Sequence, residues 1–276
     1  MKFYLSLMTM ISTCVTNAAE PQIKKEIREE NGKQEEYMFI DGIKVHEENP
    51  ALRPQPEIVT PKPYDEVAAK APSGATILFD GSKESLENWI GSNQQPTKWI
   101  LADGALQCVV GSGFIQTKKE YGSCRLHIEF ATPVNPQITG QGRGNSGVFL
   151  QGIYEVQILD SYRNTTYPDG QCGALYGRAV PRVNACRPPG EWQTYDITFH
   201  RPLFDKEGKV TRKAKFSVIH NGVLIHDQVE ISGGTGWAGK HSATEYKAHA
   251  DKASIALQDH GNPVRFRNIW IEEIQD

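Results

Sequence analysis

The chain reads as an all-β protein, a jelly roll or other β-sandwich with an extended N-terminal arm. Two observations predict this. From Thr76 onward, short runs of alternating apolar and polar residues follow one another, with few convincing helical patterns. Turn signals separate them: Asp80-Gly81, Asp103-Gly104, Gly111–Gly113 and Asn221-Gly222. The last is a strong hairpin signal, because a type I′ turn needs positive φ at both central residues. No internal repeat is present. The expected sandwich spans 76–276, about 200 residues.

Taken in order, residues 1–19 come first. Lys2 precedes an apolar stretch from Phe3 to Val15, followed by small residues up to Ala18 and Ala19. This is the pattern of a secretory signal peptide, and an exported protein, periplasmic or extracellular, is expected. Cys14 lies inside this segment, but Ile11, Ser12 and Thr13 suit lipidation poorly, so a lipoprotein is the lesser expectation. Residues 20–75 form a charged and Pro-rich arm or linker. KKEIREENGKQEE is followed by six prolines between Pro50 and Pro72. Such a composition is expected to lack a packed core of its own. Tyr37–Ile40, Asp41-Gly42 and Ile43–Val45 fit a small hairpin, and the arm as a whole could strap the main domain.

Strands are expected at 76–79, 97–102, 104–110, 113–117, 123–131, 145–151, 153–160, 173–177, 192–200, 214–220, 222–230, 253–259 and 264–274. Short helices fit Ser82–Glu87 or Glu245–Ala250.

The 276 residues carry a formal charge of -3, with 38% hydrophobic and 23% charged residues. Nothing is basic enough to suggest nucleic acid. No apolar run in the mature chain is long enough to span a bilayer as a helix. Beyond the leader stand Cys108, Cys124, Cys172 and Cys186, an even count that permits disulfides in an exported protein. Cys172 and Cys186 share one Gly/Pro-rich loop and are the favoured pair. Cys108 and Cys124 sit in strand-like runs, where they either pair or act as small hydrophobes.

The candidate site comes from strand faces. In IYEVQILD, Tyr154, Val156 and Ile158 form an apolar face, while Glu155 and Gln157 share the other, roughly 7 Å apart. In GRGNSGVFLQG, Asn145, Gly147, Phe149 and Gln151 lie on one side, and a glycine inside a strand leaves room for close approach. Arg143 stands at the entrance of that run. In SIALQDHG, Gln258 and His260 share a face opposite Ile255 and Leu257. Amide, carboxylate, imidazole and guanidinium groups on adjacent strands suit sugar hydroxyls, which both donate and accept. His127 and Glu129 share a face of 123–131. His241, Glu245, His249 and Asp251 match no strong zinc pattern. The tryptophans at 89, 99, 192, 237 and 270 suit either core or sugar platforms. No phosphate loop, nucleophile elbow or dinucleotide fingerprint occurs.

Several ordered motifs then match a family. LFDG at 78–81 with Leu86 and Trp89, NSGVFLQG at 145–152, YEVQILDS at 154–161, GALYG at 173–177, EWQTYDI at 191–197, NGVLIH at 221–226 and LQDHGNPVRFRNIWI at 257–271 resemble the 3-keto-disaccharide hydrolase domain family. The resemblance runs from about Thr76 to the C-terminus. RPQPEIVTP at 53–61 is similar to the lead-in of some members. The resemblance implies a concanavalin-like jelly roll. It also implies small residues where Cys172 and Cys186 stand, which supports a local disulfide.

The chemistry it implies concerns glycosides oxidised at C3, with a 3-keto glucoside or disaccharide as substrate. A C3 ketone acidifies the C2 hydrogen. A base removes it, the aglycone leaves C1 by β-elimination, and water adds. One base near neutral pKa and an enolate stabiliser suffice. A conventional glycosidase needs two carboxylates flanking the bond, and that pair is not evident. His260 is the candidate base, with Glu155 the alternative. Either could instead ligate a divalent metal, the cofactor left open. Arg143, Arg267 or that metal would stabilise the enolate, and Asn145, Gln157 and Gln258 would orient the sugar. The competing readings are a non-catalytic carbohydrate-binding module and a conventional glycoside hydrolase of related fold.

Overall fold

The structure, a computed structural model, describes residues 22–30, 32–64, 67, 69–135, 137–235 and 245–276. The expected leader with Cys14, and the residues Trp237 and His241, lie outside the described residues.

Two antiparallel sheets pack face to face. The larger has the order Val223–Glu230, Lys215–His220, Gln193–His200, Cys124–Ala131, Arg265–Glu273, Ala105–Gln107 and Ile100–Ala102, with Thr76–Phe79 also paired to Arg265–Glu273. The smaller has the order Tyr154–Ile158, Ser146–Leu150, Ala256–Leu257, Ile115–Thr117 and Trp89–Gly91. This is the expected all-β jelly-roll sandwich. Alternation builds its core. Leu126, Ile128 and Phe130, Ile197 and Phe199, and Phe216 and Val218 point inward from the large sheet, meeting Val148, Leu150, Tyr154, Val156 and Ile158 from the small one. Full burial of each such side chain contributes about 1.5–3 kcal/mol.

The hairpin turns follow the dipeptides. Asn221 and Gly222 have φ of 49° and 75°, and Asp103 and Gly104 have 51° and 71°. The expected helix is Lys83–Leu86, capped by Ser82, whose hydroxyl accepts from Ser85 N at 3.0 Å. Residues 245–250 form no helix. Run 173–177 is not a strand. Left-handed Gly173 and Gly177 turn the chain, leaving Leu175 only isolated bridges to Val156 and Ala179. Run 253–259 pairs as a ladder strand only at Ala256–Leu257. Asp259 ends it, accepting from Gly261 N at 3.0 Å and Gly113 N at 2.9 Å.

The arm is more ordered than its composition suggests. Ile23–Glu30, Lys33–Ile40 and Ile43–Lys44 form a three-stranded sheet with a small buried cluster of Met38 and Val45. The charges cooperate across it: Lys25 pairs with Glu36 at 3.1 Å, and Arg28 lies over the Phe39 ring at 4.9 Å. Beyond it the chain straps the sandwich. Glu57–Ile58 pairs in parallel with Val183–Asn184. Lys62 N donates to Asn221 O at 3.1 Å, and Ala69 O accepts from Trp270 Nε1 at 3.0 Å.

Candidate active site

The register of the small sheet decides what shares a surface. Gly147 stands opposite Gln157, Phe149 opposite both Glu155 and Ala256. One face of these strands goes to the core; the other forms the floor of a cleft of about 670 Å³. Its lining is Phe114, Gln141, Asn145, Phe149, Glu155, Gln157, Tyr167, Tyr176, Gln258, Asp259 and His260.

Glu155 dominates the electrostatics. It is 4% exposed and sits among amides and aromatic rings, and burial pushes its carboxyl up to about 8. Gly147 makes this possible: a Cβ there would collide with Glu155 Oε1 and the Phe149 ring. The amides around it are fixed by one another. Asn145 Nδ2 donates to Gln141 O at 2.7 Å, and Gln157 Nε2 donates to Gln141 Oε1 at 3.1 Å. Gln141 in turn donates to Gly170 O at 2.8 Å. The Oε1 atoms of Gln157 and Gln258 are buried without a hydrogen-bond partner. Two idle acceptors in a cleft are places for a ligand's hydroxyls. His260 is exposed on the rim, where Asp259 and His260 also border a shallow shelf over Val110, Gly111 and Gly113.

Five of the seven site residues expected from the sequence therefore converge: Glu155, Asn145, Gln157, Gln258 and His260. Arg143 and Arg267 do not. Arg143 Nε pairs with Asp160 Oδ2 at 2.9 Å and its guanidinium also binds Tyr162 O, tying down the loop after Tyr154–Ile158. Arg267 belongs to the large sheet and points away from the cleft. Its Nε donates to Glu129 Oε2 at 2.7 Å and its guanidinium lies 4.2 Å from the Trp192 ring centre. A strand's facing cannot tell which sheet it joins, and that sheet is what excludes Arg267.

The disulfide expected at Cys172 and Cys186 is likewise absent, and all four described cysteines are buried free thiols. The two sulfurs are nonetheless neighbours, grouped within 4.8 Å with a ring nitrogen of His220 in the core. The Tyr195 hydroxyl lies 3.0 Å from Cys172 Sγ. Among the described residues this is the group of three such side chains that converges. Among the described residues no such trio includes Glu155 or His260. Residues 245–251 do not gather either: His249 Nε2 meets Tyr154 OH at 2.7 Å, while Asp251 pairs with Arg201 at 2.6 Å.

Gln141, Phe114, Tyr167 and Tyr176 were not singled out by alternation, because loops or strand ends carry them. No described tryptophan lines the cleft; Phe114, Phe149 and the two tyrosines supply its aromatic surface. Trp89 and Trp99 are core, and Trp270 stacks on His127 at 5.2 Å.

A family model described as a 3-keto-alpha-glucoside-1,2-lyase-like domain matches residues 74–272. The chain belongs to this family. Its lyase-like domain is thus the sandwich with the cleft, and the N-terminal sheet lies outside the match. A solved structure from Parabacteroides distasonis ATCC 8503, provisionally named a glycosyl hydrolase, is 40% identical with a TM-score of 0.70, covering 80% of this chain and 93% of that one. A second from the same organism, similarly named, is 26% identical with a TM-score of 0.50, covering 73% and 100%. A third, at 21% identity and a TM-score of 0.54, shares the fold over 78% and 100%. No functionally curated protein has significant sequence similarity to it. Family and relatives mark the lyase-like domain as carbohydrate-active.

Proposed function

We propose that this chain cleaves 3-keto-glycosides by elimination and hydration, with Glu155 as the base. The observation that carries the reading is a lone carboxyl on the cleft floor, raised to about 8 by burial and ringed by sugar-orienting amides. A base of that strength suits removal of a proton next to a ketone. The sequence favoured His260 for this step; depth in the cleft favours Glu155.

Glu155 takes the C2 proton, and the electron pair moves through C2–C3 onto the ketone oxygen as an enolate. The enolate re-forms the ketone as the C1–O bond breaks, and the aglycone oxygen leaves with the electron pair. His260, on the open rim, donates the proton that the aglycone takes. Water then adds across the new C1–C2 double bond. With Arg143 and Arg267 engaged elsewhere, and the amide N–H groups of Gln141, Asn145 and Gln157 given to protein acceptors, the enolate's donors are the Gln258 amide and the tyrosine hydroxyls of the lining. The idle acceptors of Gln157 and Gln258 orient the remaining hydroxyls.

A conventional hydrolase would pair Glu155 with Asp259. Both Asp259 oxygens, however, already accept backbone N–H groups.

The test compares methyl α-glucoside with its 3-keto form. Turnover is expected only for the oxidised sugar, with loss of deuterium from C2. Glu155→Gln should lower kcat by about 10²–10⁴-fold. Cleavage of the unoxidised glucoside, or an undiminished Glu155→Gln variant, would overturn the assignment.

A further inference from the structure

The strap of residues 44–55 reaches the cleft from behind. His46 N–H donates to Asp169 Oδ2 at 2.9 Å, and His46 Nδ1 lies 3.4 Å from Oδ1. Arg53 Nη1 donates to the same Oδ2 at 2.9 Å and to Lys44 O at 3.3 Å. Gln55 Nε2 donates to Thr166 O at 2.8 Å, and Gln171 Nε2 donates to Gln55 Oε1. Asp169 is wholly buried, so the arm supplies the Arg53 guanidinium and the His46 backbone N–H to a carboxylate that the sandwich itself encloses.

The His46 ring continues the contact. Its centre lies 4.3 Å from Tyr167 and 4.9 Å from Tyr176. Those two rings line the cleft and share a hydroxyl–hydroxyl bond of 2.8 Å. Gly177, left-handed with φ of 66°, brings its backbone against the His46 ring, which a Cβ there would only touch at 3.4 Å. His46 itself has φ of 58°, a left-handed conformation that a non-glycine residue keeps only when its surroundings enforce it. Hydrogen bonds, ring packing and a strained backbone thus converge on one short segment outside the matched family domain.

We infer that this segment is part of the active site, with His46 and Arg53 as positioning residues for the Tyr167–Tyr176 wall. The Asp169 carboxylate is the shared anchor. When the arm grips it, the turn Pro168–Gly170 is fixed, and with it the carbonyl of Gly170 that holds Gln141 and Gln157. The arm therefore sets both the aromatic wall and the amide floor, without touching substrate. The inference rests on the cleft being the sugar site.

Steady-state kinetics of the full chain with methyl 3-keto-α-glucoside test it. His46→Ala and Arg53→Gln should each raise KM about tenfold while kcat falls less, since a misplaced wall loses binding first. Tyr64→Phe, which loosens the arm on the far sheet, should lower Tm without moving KM. His46→Gln keeps the backbone bond to Asp169 and removes the ring, so it carries the same test should His46→Ala not fold. Folded His46 and Arg53 variants with wild-type KM would overturn the inference. If the wild-type chain cleaves neither sugar, the function falls separately. Calorimetric affinity for methyl α-glucoside then decides the arm: about tenfold weaker binding by His46→Ala supports it, and equal binding overturns it.

Discussion

Glu155 illustrates what one buried side chain costs and provides. Its ionisation is disfavoured because the fold removes it from water without giving it a cation. A folded pKa of about 8, above the unfolded value near 4.5, means the folded state holds the proton more tightly. That contribution to stability is complete below pH 4.5 and is lost as pH rises through 8. Glu155→Gln removes the titration while keeping the shape. Its stability should match wild type below pH 4.5, exceed it increasingly between pH 4.5 and 8, and level off above that at an excess on the order of 4 kcal/mol, with Tm following. An equal Tm difference at both ends would contradict the buried, unpaired carboxyl. Activity should run the opposite way, with kcat/KM climbing about tenfold per pH unit until it levels near 8. Glu155, Asn145, Gln157, Gln258 and His260 were legible because strand parity alone places them on shared faces. The idle acceptor atoms were not, since an unmade bond is a property of the packed neighbours.

At the level of elements, the arm is anchored twice, by Asp169 near the cleft and by Glu129 on the far sheet. Glu129 is fully buried, and Tyr64 OH donates to it at 2.6 Å and Asn268 Nδ2 at 2.8 Å. Burial opposes its charge, but hydrogen bonds from His127, Asn268, Tyr64 and Arg267 prevail and hold the carboxyl down at about 2. A depressed carboxylate contributes stability above its unfolded pKa and loses it as pH falls from about 4.5 toward 2. Beside it, burial lowers the His127 pKa, yet bonds to Asp196 and Glu129 leave it raised. That contribution is full below pH 6.5 and fades as pH rises through the folded value. The anchor is therefore strongest between about pH 4.5 and 6.5. Tyr64→Phe should cost about 1 kcal/mol there, measured by denaturant unfolding, and progressively less toward pH 2. A pH-independent cost would contradict the charged acceptor. The Asp41-Gly42 hairpin was readable from its turn. The strand Ile23–Glu30 was not, because a run of Lys and Glu has little β propensity and is held by cross-strand charge and the sheet it joins.

For the whole molecule, the sandwich keeps its cleft on one sheet, and the strap runs from that cleft's wall to the outer face of the other. The assignment of strands to sheets was the part invisible in sequence: Arg267 and Gln258 have equally plausible faces, but only one belongs to the cleft's sheet. The cysteines report on the same interior. Burial raises the Cys108 and Cys124 thiols to about 12, and Cys172 and Cys186 are enclosed between the sheets. A charged thiol reagent should label none of these four in the native protein. After denaturation without reductant, four labelled sites indicate thiols and two indicate a Cys172–Cys186 bond. Rapid native labelling would contradict the packing.

The placement of Gly147 has a consequence for how such a protein can change over generations. The floor beside it leaves no room for variation, since any side chain there displaces Glu155. The wall, by contrast, is made of a loop braced by a segment outside the matched domain. On the proposed function, a substitution in the arm would alter the wall while leaving the Gly147–Glu155 floor, and with it the proton-transfer step, in place.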